Sequence, residues 1–124
     1  MKYQKDIKDW TLEFAVSMIK LSGLLKKDKL DFDVVDQVRR SGTSVGANVR
    51  EAKSSVSEKE LIKFYSIALK SANETDFWFE VITKGYNYNS VELNACWGEL
   101  KQIEKVIATI IIKLKEKKAK SVLM

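Results

Sequence analysis

Residues 39–52 read RRSGTSVGANVREA, a run of small side chains edged by arginines in a chain otherwise rich in large apolar residues. At helical spacing, one stripe of this region is apolar and contains Val35, Val38, Gly42, Val45, Val49 and Ala52. A second stripe beside it is small and polar and contains Ser41, Ser44 and Asn48. A helix of this kind lets another backbone come close, while Arg39 and Arg50 lie on a further, outward face. The pattern predicts contact with a partner element rather than catalysis.

Composition narrows both fold and function. The 124 residues suit a single domain, 1–124, and a hydrophobic content of 45% is enough to fill a core. The chain has no proline and five glycines, which favours long uninterrupted helices. It also has no histidine, the commonest general acid/base and metal ligand near neutral pH. We therefore expect an all-α protein that is not an enzyme and needs no cofactor or metal.

Signals for export or membrane insertion are not evident. No apolar run approaches the roughly 20 residues that span a bilayer, and the first residues, MKYQKD, lack the apolar core of a signal peptide. The single cysteine, Cys96, excludes an internal disulfide and agrees with a reducing compartment. We expect a cytoplasmic protein without a membrane partner.

Hydrophobic periodicity predicts two amphipathic helices in the first half of the chain. The first covers about residues 6–26, and its stripe contains Ile7, Trp10, Phe14, Ser17, Leu21 and Leu24. A charged connection follows, in which Asp31 or Asp33 is available as a helix cap. The second helix covers about residues 34–53 and contains the small-residue stripe.

Two further helices are predicted in the second half. Ser57 and Glu60 have the spacing of a capping box that starts the third helix, and Gly85 offers a left-handed stop. Asn89, three residues before Glu92, is the expected cap of the fourth. The stripe of the third helix contains Leu61, Tyr65, Ala68, Ala72, Thr75, Phe79 and Ile82. The seam of the fourth contains Leu93, Cys96, Leu100, Ile103, Ile107, Ile110 and Leu114.

These elements predict an all-α, antiparallel, up-down-up-down four-helix bundle, because short connections make successive helices antiparallel. The β-branched run at residues 109–112 does not change this, since the seam of the fourth helix runs through it. We expect the basic tail, residues 115–124, to continue the last helix and to fray.

Charge is unevenly distributed along the chain, whose formal net charge is +5. Residues 1–36 are balanced, whereas residues 37–70 carry seven basic and three acidic side chains. Residues 71–112 carry three basic against six acidic, and residues 113–120 carry five lysines against one glutamate. The positive surplus therefore lies in the small-residue segment with its sequel and in the tail.

The candidate nucleic-acid-binding residues are the basic side chains of the first of these surpluses. They are Arg39, Arg40, Arg50, Lys53, Lys59, Lys63 and Lys70. Clustered positive charge attracts phosphates. The alternative is a solvated face in which Lys59 and Lys63 pair with Glu58 and Glu60.

Residues 37–52, QVRRSGTSVGANVREA, closely resemble the signature of the four-helix bundle family of 23S rRNA-intervening-sequence proteins. The resemblance extends to residues 64–74, FYSIALKSANE, and to the overall length. Ala52 stands where family members usually carry glycine, which leaves the end of the second helix open. The resemblance implies a small bacterial protein without established enzymatic activity that forms a homopentamer. A related branch, the accessory variability proteins of diversity-generating retroelements, binds a reverse transcriptase and its template RNA.

The small residues of the second helix are candidates for helix packing or for an oligomer interface. They are Ser41, Gly42, Ser44, Gly46 and Asn48. Close packing inside one bundle and contact between subunits both fit this pattern. Because Asn48 borders the apolar seam, it requires hydrogen-bond partners, and we favour a structural role for it over ligand contact.

Other chemical groups have simpler interpretations. The three tryptophans, Trp10, Trp78 and Trp97, lie on or beside apolar stripes and are expected in the core rather than as base-stacking platforms. Cys96 lies on the seam of the fourth helix, where a free thiol packs as a small apolar group. The carboxylates Glu74, Asp76 and Glu80 are expected to face solvent or an arginine of a neighbouring subunit, not a metal.

The sequence therefore predicts a non-enzymatic, oligomeric helical bundle that binds RNA or a ribonucleoprotein through a basic surface. A reverse transcriptase with its template RNA is one such partner by resemblance. The alternative is a purely structural oligomer, or a scaffold for protein partners, whose charges only keep it in solution.

Overall fold

The computed structural model describes residues 5–123, and this part of the chain forms four α-helices. They are α1 (Ile7–Lys27), α2 (Phe32–Lys53), α3 (Glu58–Gly85) and α4 (Val91–Leu123). Each helix packs against the next, and α4 packs back against α1. α1 and α2 therefore form one side of the bundle, and α3 and α4 form the opposite side. The predicted all-α four-helix bundle is confirmed.

Contacts between α2 and α3 show that these helices run in opposite directions. The hydroxyl oxygens of Ser41 and Thr75 are 2.9 Å apart, and those of Ser44 and Ser71 are 3.0 Å apart. Residue numbers therefore rise in α2 and fall in α3 along the same direction of the bundle axis, so the two helices are antiparallel. Connections of four or five residues join the helices, and these permit the same reversal at each step.

The core agrees closely with the apolar stripes of α2 and α3. All six residues of the predicted α2 stripe are buried, from Val35 to Ala52. In α1 the stripe is rotated, because Ser17 is exposed whereas Met18 and Leu25 are fully buried. In the last part of α4, Ile111 is buried and Ile110 only partly so. A helix of 3.6 residues per turn drifts from a strict seven-residue repeat, which accounts for this shift.

Helix α3 begins as predicted and ends differently. Ser57 accepts a hydrogen bond from the backbone N–H of Glu60 at 3.1 Å, as a helix cap does. Gly85 is the last helical residue and is not left-handed, so that prediction was wrong. The left-handed residue is Asn87, with φ of 50°. Asparagine tolerates this conformation because its short amide side chain bonds locally.

Two other predicted caps need correction. The cap of α4 is Ser90, whose hydroxyl accepts from the N–H of Leu93 at 3.0 Å, whereas Asn89 accepts from the side chain of Asn94. Asp31 does precede α2, but its side chain makes no capping hydrogen bond. It accepts instead from the hydroxyl of Tyr86 at 2.6 Å. A tertiary contact thus replaces the local one.

Candidate nucleic-acid interface

The seven predicted phosphate-binding residues do not form one surface. Arg39 and Arg40 lie one to two turns into α2, where both pair with Asp36, at 2.5 and 3.3 Å. One carboxylate thus partly neutralises two guanidinium groups. Lys70 is exposed on α3, roughly 10 Å along the helix axis from Lys63.

The other four predicted residues lie together where α2 meets α3. Arg50 and Lys53 occupy the last turn of α2, and Lys59 and Lys63 occupy the first turns of α3, with residues 54–57 between them. All four are exposed, and none makes an ion pair with a described residue. The alternative expectation, that Lys59 and Lys63 pair with nearby glutamates, is therefore wrong. Their charged groups are exposed, and the ammonium group of Lys63 lies 5.4 Å from the ring centroid of Phe64.

The lysine-rich tail lies at the same end of the bundle. α4 continues to Leu123, and Lys117 lies 3.8 Å from Glu58, at the start of α3. The tail therefore runs past the α2–α3 junction as an exposed helix. We call the combined surface the basic end. It consists of Arg50, Lys53, Lys59 and Lys63 with Lys113, Lys115, Lys117, Lys118 and Lys120.

Charge dominates the basic end. Its two segments, residues 50–63 and 113–120, carry nine basic and four acidic side chains. Sequence reasoning treated the tail as separate because about 50 residues intervene. The only signal for joining the two was that residues 37–70 and residues 113–120 each carry a surplus of four positive charges.

The opposite end of the bundle carries charges of both signs, with Lys26, Lys27, Lys29 and Lys84 near Asp28, Asp31, Asp33, Glu80 and Glu92. Tyr86 and Tyr88 donate hydrogen bonds of 2.6 Å to Asp31 and Asp28. The hydrogen bond to Asp31 raises the pKa of Tyr86, and burial followed by Asp28 raises the pKa of Tyr88. Both hydroxyls thus remain protonated donors near neutral pH.

The glycines of α2 face α1. A Cβ atom on Gly42 would lie 2.7 Å from the side chain of Met18, and one on Gly46 would lie 2.8 Å from the carbonyl oxygen of Thr11. No real Cβ approaches other atoms this closely, so α1 and α2 can meet here only because both positions lack a side chain. These contacts lie inside one bundle.

The small polar residues of α2 face α3 or bond within α2. Ser41 and Ser44 pair with Thr75 and Ser71, as described above. The amide of Asn48 donates to the carbonyl and hydroxyl oxygens of Ser44, at 2.9 and 3.0 Å. Ser41, Ser44 and Asn48 thus find their hydrogen bonds within the chain.

The tryptophans are half-buried, and each indole N–H donates to a carboxylate. Trp10 donates to Glu99 at 2.8 Å, Trp78 to Glu74 at 3.3 Å and Trp97 to Asp76 at 3.0 Å. They join neighbouring turns or helices and offer no exposed stacking platform. Glu74 and Asp76 therefore have tryptophan partners, whereas solvent or an arginine of a neighbour was expected.

A charged cluster between α3 and α4 was not predicted. Lys101 lies 3.1 Å from Asp76 and 3.6 Å from Glu104. The Oε2 atom of Glu104 is buried and has no hydrogen-bond partner among the described residues. Burial, followed by Asp76, raises the pKa of Glu104 to about 8, and the hydrogen bond to Asp76 raises that of Lys101. The three groups come from two helices, so no local sequence pattern predicts the cluster.

Other chemical functions find little support. Within residues 5–123, no group of three or more potential ligands is arranged to hold a metal ion. Burial raises the pKa of the Cys96 thiol to about 11, so it is not a thiolate at neutral pH. No described helix combines the length and apolar character that crossing a membrane requires.

Comparison with known proteins identifies the family. The model of the 23S rRNA-intervening sequence protein family matches residues 4–109. The chain belongs to this family. No curated protein matches it. It is also similar to a crystal structure from Bacteroides thetaiotaomicron VPI-5482, described as a protein with unknown function from the S23 ribosomal protein family. The two share 36% identity and a TM-score of 0.80 over 86% of this chain and 98% of that one.

The family match leaves the tail outside. It ends at residue 109, before the lysines of residues 113–120. The basic end therefore combines a part that lies within the family match, at the α2–α3 junction, with a part that lies beyond it. The two parts are separable by truncation.

Proposed function

We propose that this protein is a non-enzymatic, oligomeric helical bundle that binds RNA or a ribonucleoprotein through its basic end. The observation that carries the proposal is the convergence of the α2–α3 junction and the α4 tail on one exposed surface, in which Arg50, Lys53, Lys59 and Lys63 make no ion pair with a described residue. Clustered lysine and arginine side chains attract the phosphate backbone and displace its counterions.

Ribosomal RNA is the first ligand to test, because the family description refers to the 23S rRNA intervening sequence. A reverse transcriptase with its template RNA is a second ribonucleoprotein partner, suggested by the resemblance to accessory variability proteins. The resemblance also suggests a pentamer in a bacterial cytoplasm. Several basic ends in one oligomer would strengthen binding to a single strand, since each further contact is intramolecular.

An enzymatic role has no positive support. The chain has no histidine, and the thiol of Cys96 has a pKa of about 11. The family description names no reaction. A catalytic site would need an acid/base pair or an activated nucleophile, and the described clusters consist of structural ion pairs and indole–carboxylate bonds.

The salt dependence of RNA binding tests the proposal. Affinity for a 23S rRNA fragment would be measured by fluorescence anisotropy over a range of salt concentrations. Lys59→Gln with Lys63→Gln is expected to weaken binding and to reduce the slope of log affinity against log salt by about 0.7 to 0.9 per lost contact. Truncation after Leu114 should reduce it further, because the tail belongs to the same surface.

The matched control removes charge elsewhere. Lys27→Gln with Lys84→Gln deletes two exposed charges at the opposite end of the bundle, in the last turns of α1 and α3, and should change the slope less. Equal slopes for the two double variants would contradict the assignment to the basic end. Absence of binding by the parent at low salt would remove RNA binding altogether.

A structural scaffold without nucleic-acid binding is the second candidate. It is favoured by a stripe of exposed apolar residues on α1, Leu12, Val16 and Ile19, which are 48%, 47% and 51% exposed. Exposed apolar surface of this kind is typical of contacts between protein chains. An oligomer that keeps its mass in the absence of RNA and binds none would support this function.

A further inference from the structure

The exposed stripe on α1 has the spacing of a helix-packing seam. Leu12, Val16 and Ile19 recur at steps of four and three, as in the contact positions of paired helices. About half of each side chain remains exposed in the single chain. No helix of the described bundle covers them.

The direction of the stripe follows from two contacts on α1. Thr11 faces α2, because its carbonyl lies beneath Gly46, and Trp10 faces α4, because it donates to Glu99. Each residue turns a helix by about 100°, so Leu12 and Ile19 lie beyond Thr11, on the side away from α4. The stripe therefore belongs to the side of the bundle that α1 and α2 form.

This side of the bundle is also basic. On α2, Gly46 faces α1 and Ser44 faces α3, so Arg39 and Arg50 lie on the outer edge next to α1. We call this surface the basic flank. Its apolar residues are Leu12, Val16 and Ile19, and its charged residues are Lys8, Lys26, Arg39 and Arg50 with the single acid Asp36. Two basic flanks would repel each other, so the complementary surface must be acidic or neutral.

The adjacent side of the bundle, between α1 and α4, offers such a surface. It contains a groove of about 230 Å³ with a largely apolar floor. The groove is lined by Ser17, Lys20, Leu21, Leu24, Glu92 and Cys96. Glu92 is exposed and makes no ion pair with a described residue, and Glu99 lies further along the same edge. Lys20 is the one base among the lining residues.

The two surfaces lie at the same height along the bundle. Met18 of α1 packs on Gly42 of α2. Because the two helices are antiparallel, Arg39, three residues before Gly42, lies level with Leu21, three residues after Met18. Leu21 lines the groove, and Ile19 is two residues away on the opposite side of α1. Copies related by an axis parallel to the helices would thus bring Ile19 and Arg39 directly against the groove.

We propose that the basic flank of one copy docks into the α1–α4 groove of a second copy, with Ile19 over the apolar floor and Arg39 beside Glu92. The contact rests on the oligomer of the proposed function and names its surfaces. It is head-to-tail, and the two surfaces lie on adjacent sides of the bundle, roughly at right angles. Each contact therefore turns the direction of assembly by about a quarter turn, so that repeated contacts close a ring. Docking of opposite sides would instead build an open row.

A mixing experiment tests the head-to-tail arrangement. Ile19→Asp with Arg39→Glu breaks the flank and leaves the groove intact, whereas Ser17→Lys with Glu92→Lys breaks the groove and leaves the flank intact. Each variant alone is expected to sediment as a single chain in RNA-free buffer. An equimolar mixture is expected to form a dimer, because one intact flank then meets one intact groove. Asn73→Lys, on the exposed face of α3, is the control and should keep the parent mass.

Cross-linking gives a second reading that does not depend on breaking the assembly. Cys96 is the only cysteine of the chain, and it lines the groove. Ile19→Cys should form disulfide-linked ladders on mild oxidation, whereas Phe77→Cys, on α3, should not. A disulfide-linked dimer of Ile19→Cys with Cys96→Ser would indicate flank-to-flank pairing and overturn the proposal.

The outcomes separate this contact from the broader function. A parent chain that sediments as a monomer would overturn both the contact and the oligomer. An oligomeric parent whose flank and groove variants keep their mass would overturn the contact and leave the proposed function standing. RNA binding plays no part in either measurement.

Discussion

The α1–α2 contact and the α3–α4 contact differ in the size of the side chains that bring the helices together. α1 and α2 approach because Gly42 and Gly46 remove side chains from the interface. α3 and α4 are held by large side chains, with the rings of Phe79 and Trp97 5.7 Å apart. A charged cluster lies beside these rings. The first contact has little room for added atoms, whereas the stability of the second depends on which of its groups are charged.

The largest effect is expected at the closest point of the α1–α2 contact. Gly46→Leu places a branched side chain against the backbone carbonyl of Thr11, which cannot move without displacing α1. We expect a loss of about 3 kcal/mol or more in the free energy of unfolding, and a loss of about 1 to 3 kcal/mol for Gly46→Ala. Urea unfolding followed by circular dichroism would measure both. A Gly46→Ala variant as stable as the parent would show that the helices separate easily here.

At the α3–α4 contact the expected effect is intermediate and depends on pH. The unfolded chain loses the Glu104 proton near its ordinary pKa of 4.5, whereas burial and Asp76 hold the proton in the folded chain up to about pH 8. The unfolded state binds fewer protons between these values, so stability falls as pH rises from about 4.5 to about 8 and is level above that. Glu104→Gln removes this fall and is expected to be more stable than the parent at pH 8 by about 2 kcal/mol.

Asp76→Asn is the matched variant for this prediction. Asp76 is the second cause of the raised pKa of Glu104, after burial. Its removal should let Glu104 ionise at lower pH, so the fall in stability should be smaller and end earlier. Thermal unfolding from pH 4.5 to 9 would follow all three proteins. A Glu104→Gln variant whose stability changes with pH in the same way as the parent would contradict the assignment.

The same contrast explains what the sequence predicts and what it does not. The α2 stripe is recognisable because Val35 to Ala52 follow one helical period, and burial depends on that period. Periodicity does not predict that Gly42 and Gly46 face α1 while Ser44 faces α3. It does not determine which helix packs on which side of α2. The Asp76–Lys101–Glu104 cluster is still harder to predict from the sequence, because its residues come from two helices whose relative axial position is set by packing.

The basic surface illustrates the same division. Composition located the positive surplus in residues 37–70 and 113–120, and the structure describes Arg50, Lys53, Lys59 and Lys63 of the first segment at the same end of the bundle as the tail. The sequence also grouped Arg39 with Lys70, although one pairs with Asp36 and the other lies on the outer face of α3. Charge along a chain predicts how much attraction is available, whereas its position depends on where the helices end.

The smallest effects come from single methyl groups, and they distinguish the close contact from an open helix surface. A Cβ on Gly42 would meet Met18, a flexible side chain that is able to shift, whereas one on Gly98, in α4, would meet nothing within 4 Å. Gly98→Ala is therefore expected to stabilise the protein by up to about 1 kcal/mol, because alanine loses less backbone freedom in a helix. Gly42→Ala gains the same helical preference but must displace Met18, so we expect a net loss of about 1 kcal/mol. Parallel urea titrations would resolve the opposite signs. Stabilisation by both substitutions would mean that Met18 repacks without cost and that only Gly46 holds α1 and α2 at their observed distance.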